Sequence, residues 1–175
     1  MNTRTVGLAL AVVLLLGGCT APPAGGTPGD SWSDVRVHVV DDHPDPTVVT
    51  VGAAPPGHAG LAVEFANGTV REFPDARGIE DLPDAVVPRT VSLRPIGEGV
   101  ETRTYRWSGT QSATAVFEDV PRNASVFYSV AAPDGDEPLR TLGRLGCGPE
   151  AVFTDATVRV DASGAIAVSS DCRVD

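Results

Sequence analysis

Along the chain the clearest regularity has a period of two. Val35, Val37 and Val39 alternate with Arg36 and His38, and β-branched residues return at similar density from Thr47 to Val51. Side chains on a strand point alternately to opposite faces, so the pattern predicts half-buried strands. The two segments are parted by the proline-broken loop Asp41 to Pro46 and are expected to lie side by side. LAVEFANGTVREF, residues 61 to 73, predicts a hairpin. Asn67-Gly68 favours a tight type I′ turn, which sets Phe65 opposite Val70 and Glu64 opposite Arg71.

Further strands are expected at Thr90 to Arg94, Val100 to Trp107, Ala113 to Phe117, Ser125 to Ala131 and Leu139 to Leu145, with a short helical turn within Ile79 to Val87. A last hairpin runs from ATVRV through DASG into AIAVSS. No segment keeps a helical period for three turns. Many short strands separated by turn signals predict an all-β fold, an immunoglobulin-like β-sandwich over residues 32 to 175.

Ahead of these strands the pattern changes. Arg4 precedes an apolar run from Val6 to Leu16, closed by Gly17 and Gly18, which is the layout of a secretory signal peptide over residues 1 to 18. The run is too short to span a bilayer as a helix, which takes about 20 residues. Leu16-Gly17-Gly18-Cys19 resembles the lipobox of prokaryotic lipoproteins. That resemblance implies cleavage before Cys19 and a lipid on its sulfur. Residues 19 to 31, rich in Pro and Gly, form a flexible tether by composition. With Cys19 lipidated, Cys147 and Cys172 remain as a pair to be joined in an oxidising compartment. On the last strand Ile166, Val168, Ser170 and Cys172 share one face, which Ile166 and Val168 mark as the core face. ATAVFEDVPRNASVFYSV, residues 113 to 130, is similar to a strand-turn-strand unit of immunoglobulin-like and prealbumin-like sandwiches, and implies fold without activity.

Charge narrows the partners. The chain carries 23 Asp and Glu against 13 basic residues, all arginine, for a net charge of −10. Removing residues 1 to 18 takes away Arg4 and no acid. Such a surface repels nucleic-acid phosphates, so no nucleic-acid partner is expected. Acidic, lysine-free and rich in Ala, Val, Gly and Asp, the chain is similar to proteins of halophilic archaea, with high-GC bacteria as the second source.

Candidate chemistry is sparse. His38, His43 and His58 lie close in sequence, two of them among Asp41, Asp42 and Asp45 in HVVDDHPDP. Carboxylates with imidazole can hold a divalent cation, but the stretch has no spaced-ligand signature and reads better as a solvated acidic turn. A blue-copper site needs a histidine close after a cysteine, and neither Cys147 nor Cys172 has one. Gly-x-Ser-x-Gly, His-Glu-x-x-His and phosphate-binding glycine loops are missing from the sequence. Cys147, flanked by glycines, fits a disulfide better than a nucleophile. Asn67-Gly68-Thr69 and Asn123-Ala124-Ser125 are acceptor sequons for glycans, and both asparagines also suit turns. Tyr105 and Trp107 alternate with Arg106 and are candidates for a contact patch, against the alternative that they pack in the core.

These readings converge on a non-catalytic lipoprotein without cofactor. It is expected on the extracytoplasmic face of the cell membrane, held by the lipid on Cys19 and contacting an envelope protein. The alternative is a lipoprotein that binds a small ligand or divalent cation through the Asp41 to Asp45 loop. The acidic excess makes one prediction directly. At molar salt the Debye length falls to about 3 Å and screens the self-repulsion of the fold. The melting temperature should therefore rise from dilute buffer to molar salt, and an unchanged value would count against a salt-adapted chain.

Overall fold

The computed structural model describes residues 32–132, 139–148 and 151–174. Residues 1 to 18, expected as a signal peptide, and residues 19 to 31, expected as a tether, lie outside them. Eleven strands are present among the described residues, arranged in three sheets. The first sheet has the order β11 (Ile166–Val174), β10 (Ala151–Val160), β1 (Trp32–Asp41) and β7 (Gln111–Pro121). The second runs β6 (Glu101–Trp107), β2 (Thr47–Ala54), β8 (Ser125–Ala131) and β9 (Leu139–Gly146). A third, smaller sheet holds β4 (Val70–Pro74), β3 (Gly60–Phe65) and β5 (Thr90–Ile96). The all-β, immunoglobulin-like sandwich expected from the alternation is the fold observed.

The first two sheets pack face to face through the inward positions of their strands. Val35, Val37 and Val39 of β1 meet Val49 and Val51 of β2, with Phe117, Val126, Val130, Phe153 and Val158 completing the core. Each fully buried valine or phenylalanine contributes about 1.5–3 kcal/mol relative to an exposed one. The opposite face of the second sheet is also covered. Phe127 of β8 and Ala54 of β2 pack with Leu61, Val63 and Leu93 of the third sheet, together with Leu82 and Val86 from the segment that contains two short 3₁₀ turns, Ile79–Asp81 and Val87–Arg89. The third sheet is an addition that the sequence pattern did not indicate.

Two expectations about pairing need correction. β1 and β2 are not hydrogen-bonded neighbours, because both edges of β1 are taken, by β7 antiparallel and by β10 parallel. The proline-broken loop instead carries the chain from one sheet to the other, starting where the Asp42 amide donates to Val160 O at 2.8 Å. The β3–β4 hairpin is also shifted by one residue: Glu64 pairs with Val70 and Val63 with Arg71. Its tip is a three-residue loop, with the Gly68 amide donating to Phe65 O, the Phe65 amide donating to Thr69 O, and Gly68 alone at positive φ (77°). This is a type I turn closed by a glycine bulge, whereas a type I′ turn needs positive φ at both central residues. The slip puts Phe73 opposite Leu61, on the face that Leu61 and Val63 bury, so the core selected the register. Glu64 and Arg71 consequently face opposite sides, and Arg71 lies over the Phe73 ring at 4.9 Å.

Cys147 follows β9 at the edge of the second sheet, Cys172 lies in β11 at the edge of the first, and the two are bonded with their Cα atoms 5.9 Å apart. The bond thus ties the two layers together along one open side. Cys147 packs against the core, whereas Ser170 and Cys172 are exposed, so the core face inferred for the last strand holds only for the half-buried Ile166 and Val168. The sequence separation of 25 residues corresponds to about 3.5 kcal/mol on the chain-entropy estimate. Reduction, or Cys172→Ser, should lower the unfolding free energy by about that amount in denaturant titrations. A midpoint unaffected by reductant would show that the bond does not constrain the unfolded chain.

Candidate functional site

The alternation that builds β1 continues one position past its valines. Asp41 takes the next inward position and is fully buried at the end of the core. Its Oδ1 accepts the His43 amide at 3.0 Å, while its Oδ2 is buried with no hydrogen-bond partner in the structure. His43 is also buried, and its Nδ1 accepts the Asp45 amide at 3.3 Å. Asp42 turns the other way and pairs with Arg159 at 2.6 Å. The loop therefore spends its donors and acceptors largely on itself and on β10. Among the described residues no group of three or more His, Cys, Asp and Glu side chains is placed to hold a metal ion.

The other two histidines are elsewhere. His38 is on the outer face of β1, with Nδ1 3.0 Å from Thr114 Oγ1. His58 is buried in the β2–β3 connection, edge-on to Phe127 at 5.3 Å between ring centres. Its Nδ1 is 3.0 Å from Gly60 O, and since a carbonyl only accepts, that nitrogen carries the proton. Tyr105 and Trp107 stack at 5.2 Å and pack half-buried against the main core, in keeping with the packing alternative. Asn67 and Asn123 both sit exposed in turns, Asn67 accepting the Thr69 amide and Asn123 at φ 67°. The three sets of sequence candidates do not converge on one place.

A cleft that sequence reading missed lies between the outer face of the second sheet and the third sheet. β5 docks beside Gly52, where an added Cβ would crowd the neighbouring strand, 2.7 Å from Thr102 Cγ2, and would only touch β5, 3.4 Å from Pro95 Cδ. The Leu93 amide also donates to the buried Ser129 hydroxyl at 3.3 Å. Beside this junction the two sheets enclose about 440 Å³. Thr102, Thr104 and Arg106 line it from one face of β6, the face opposite Tyr105 and Trp107, and Ser92 and Arg94 line it from β5. Thr50 and Thr104 hydroxyls are 3.2 Å apart, and Ser92 Oγ donates to Thr50 Oγ1 at 3.4 Å. The threonine-arginine alternation in ETRTYRW was the available signal, hidden because its aromatic half drew attention to the other face.

No family model matches the chain, and no curated protein does. Among solved structures it is similar to the human-specific toxin intermedilysin, at 12% identity over 81% of this chain and 24% of that one, with a TM-score of 0.37. It is also similar to a disulfide-locked mutant of intermedilysin with human CD59, at 14% identity over 80% of this chain and 24% of that one, TM-score 0.35. A structure described as a trapped toxin aligns at 13% identity over 82% of this chain and 24% of that one, TM-score 0.31. The chain spans about a quarter of the length of these proteins. Likenesses at this level carry no argument about activity.

His58 gives the fold a pH dependence. Burial pushes its pKa below the ordinary 6.5, with the nearby charge of Arg77 acting in the same direction and the hydrogen bond to Gly60 opposing. The unfolded chain then binds the proton more readily, so stability is full above about pH 6.5 and falls as pH drops through that value. His58→Gln keeps a donor for Gly60 and removes the titration. Melting temperatures followed from neutral pH to pH 5 should fall less steeply in the variant than in the parent, and equal slopes would remove His58 as the cause.

Proposed function

We propose that the chain is a lipid-anchored lipoprotein of the cell envelope that presents an immunoglobulin-like sandwich on a short Pro/Gly tether at the extracytoplasmic face of the membrane. Its role is binding or assembly, without catalysis, and its partners are the membrane, through the lipid on Cys19, and an envelope protein. The observation that carries the reading is the Cys147–Cys172 bond. It uses the other two of the three cysteines, so Cys19, at the end of an apolar run, is left for a lipid. Two acyl chains hold a protein at a bilayer because each buried methylene contributes about 0.8 kcal/mol. No helix among the described residues is long and apolar enough to cross a membrane.

Binding by strand addition suits such a domain, since its outer strands present unpaired backbone groups. β4 is one such edge, with Val70 about half exposed. Glycans at Asn67 and Asn123, both exposed, would suit such an envelope domain. The acidic, lysine-free composition supports a halophilic source.

The intact mass of the protein extracted from native membranes tests this reading. The expected mass begins at Cys19, carries a lipid increment and rises by two hydrogens on reduction. A lipid-free mass would make Cys19 an ordinary thiol and the protein a freely secreted one.

A further inference from the structure

The cleft between the second and third sheets combines features that together select a ligand. Several arginines of this acidic chain are engaged: Arg159 with Asp42, Arg103 with Glu101 at 3.2 Å, and Arg71 with the Phe73 ring. Arg94 and Arg106 have no carboxylate within ion-pair distance among the described residues, yet they line one cleft from two different sheets. Guanidinium is the side chain best matched to a planar carboxylate, by paired charge-assisted hydrogen bonds. Between the two sheets lies the connected series Ser92, Thr50 and Thr104, with Thr102 beside it. Hydroxyls donate and accept equally, so such a series pairs with the hydroxyls of a ligand. Glu64 also lines the cleft and would repel a second anionic group while accepting from a ligand hydroxyl. A volume of about 440 Å³ falls within the range of small-molecule sites.

We propose that this cleft binds a small, hydroxyl-rich monocarboxylate of the uronic-acid class, its carboxylate between Arg94 and Arg106 and its hydroxyls on the threonine and serine side chains. The proposal rests on the binding role given above and names its ligand, but it does not depend on the anchor. A calorimetric titration reads the cleft while the intact mass reads Cys19, so the two can fail separately.

The test is isothermal titration of the full chain in detergent with sodium glucuronate, with glucose and acetate as partial ligands. Glucuronate should bind at least tenfold more tightly than either, because each of them supplies half of the contacts. Arg94→Gln and Arg106→Gln should each weaken glucuronate by about tenfold or more. Both positions are exposed, so unchanged melting temperatures should accompany the loss. Arg36→Gln, which removes the same charge from the outer face of β1, should bind as the parent does. No glucuronate binding, acetate binding as tight as glucuronate, or loss in the cleft variants no larger than in Arg36→Gln would each overturn the proposal. A uronate oligosaccharide binding more tightly than the monomer would assign the site to a glycan, and equal affinity to the free acid; both results uphold it.

Discussion

β2 and β8 are removed from water on both of their faces, and the architecture depends on that burial. Val49, Val51, Val126 and Val130 point into the core shared with the first sheet, while Ala54 and Phe127 point into the core shared with the third. An antiparallel sheet in a sandwich ordinarily has one wet face and one dry one. Covering the second face allows a small sheet such as β3–β4–β5 to be held in place by apolar contact. It also places polar side chains where they need partners. Thr50 and Ser129 are buried on that face and are hydrogen-bonded to Thr104, Ser92 and the Leu93 amide. Buried hydroxyls of this kind cost stability unless they are paired, so the polar seam fixes how the third sheet sits.

The rim of the sandwich is managed by turns and by one covalent bond. Among the described residues, the β3–β4 and β10–β11 tips each use a three-residue loop with a glycine at positive φ, Gly68 in one and Gly164 in the other. In the second, Asp161 Oδ1 accepts from the Ser163 amide and hydroxyl and from the Ala165 amide, and these bonds hold its carboxyl below the usual range, the Ser163 hydroxyl most of all. β7 ends at Pro121, and the turn from Arg122 to Ala124, where the Ala124 amide donates to Pro121 O, takes the chain to β8 in the other sheet, a strand-turn-strand as the likeness to sandwich domains implied. The disulfide then joins edge strands that belong to different sheets and supplies a link across layers that backbone hydrogen bonding does not.

Two polar regions compete as functional candidates, and their electrostatics separate them. The Asp41 to Asp45 loop was legible as chemistry, but folding turns it inward: Asp41 continues the inward stripe of β1 and His43 is spent on a backbone amide. The cleft was not legible, because Arg94 and Arg106 lie on strands of different sheets. They line one cleft only because the third sheet docks on the outer face of the second. The same reason explains why Tyr105 and Trp107 were noticed as a surface patch, although the core takes their face of β6 and leaves the threonine-arginine face to the cleft.

The sequence by itself determined where the chain is extended and where it turns. The alternation of Val35, Val37 and Val39, the glycines Gly68 and Gly164 and the run ASVFYSVA each encode local geometry through side-chain period and backbone freedom, and strands stand at the two runs while turns stand at the glycines. It also bounded the cysteine pairing through parity and the likeness at Cys19. Tertiary structure alone decided which strands share a sheet, why β1 pairs with β7 and β10 instead of β2, and why the β3–β4 register slipped by one residue to bring Phe73 beside Leu61. Those choices turn on burial between residues far apart in the chain, which no local period records.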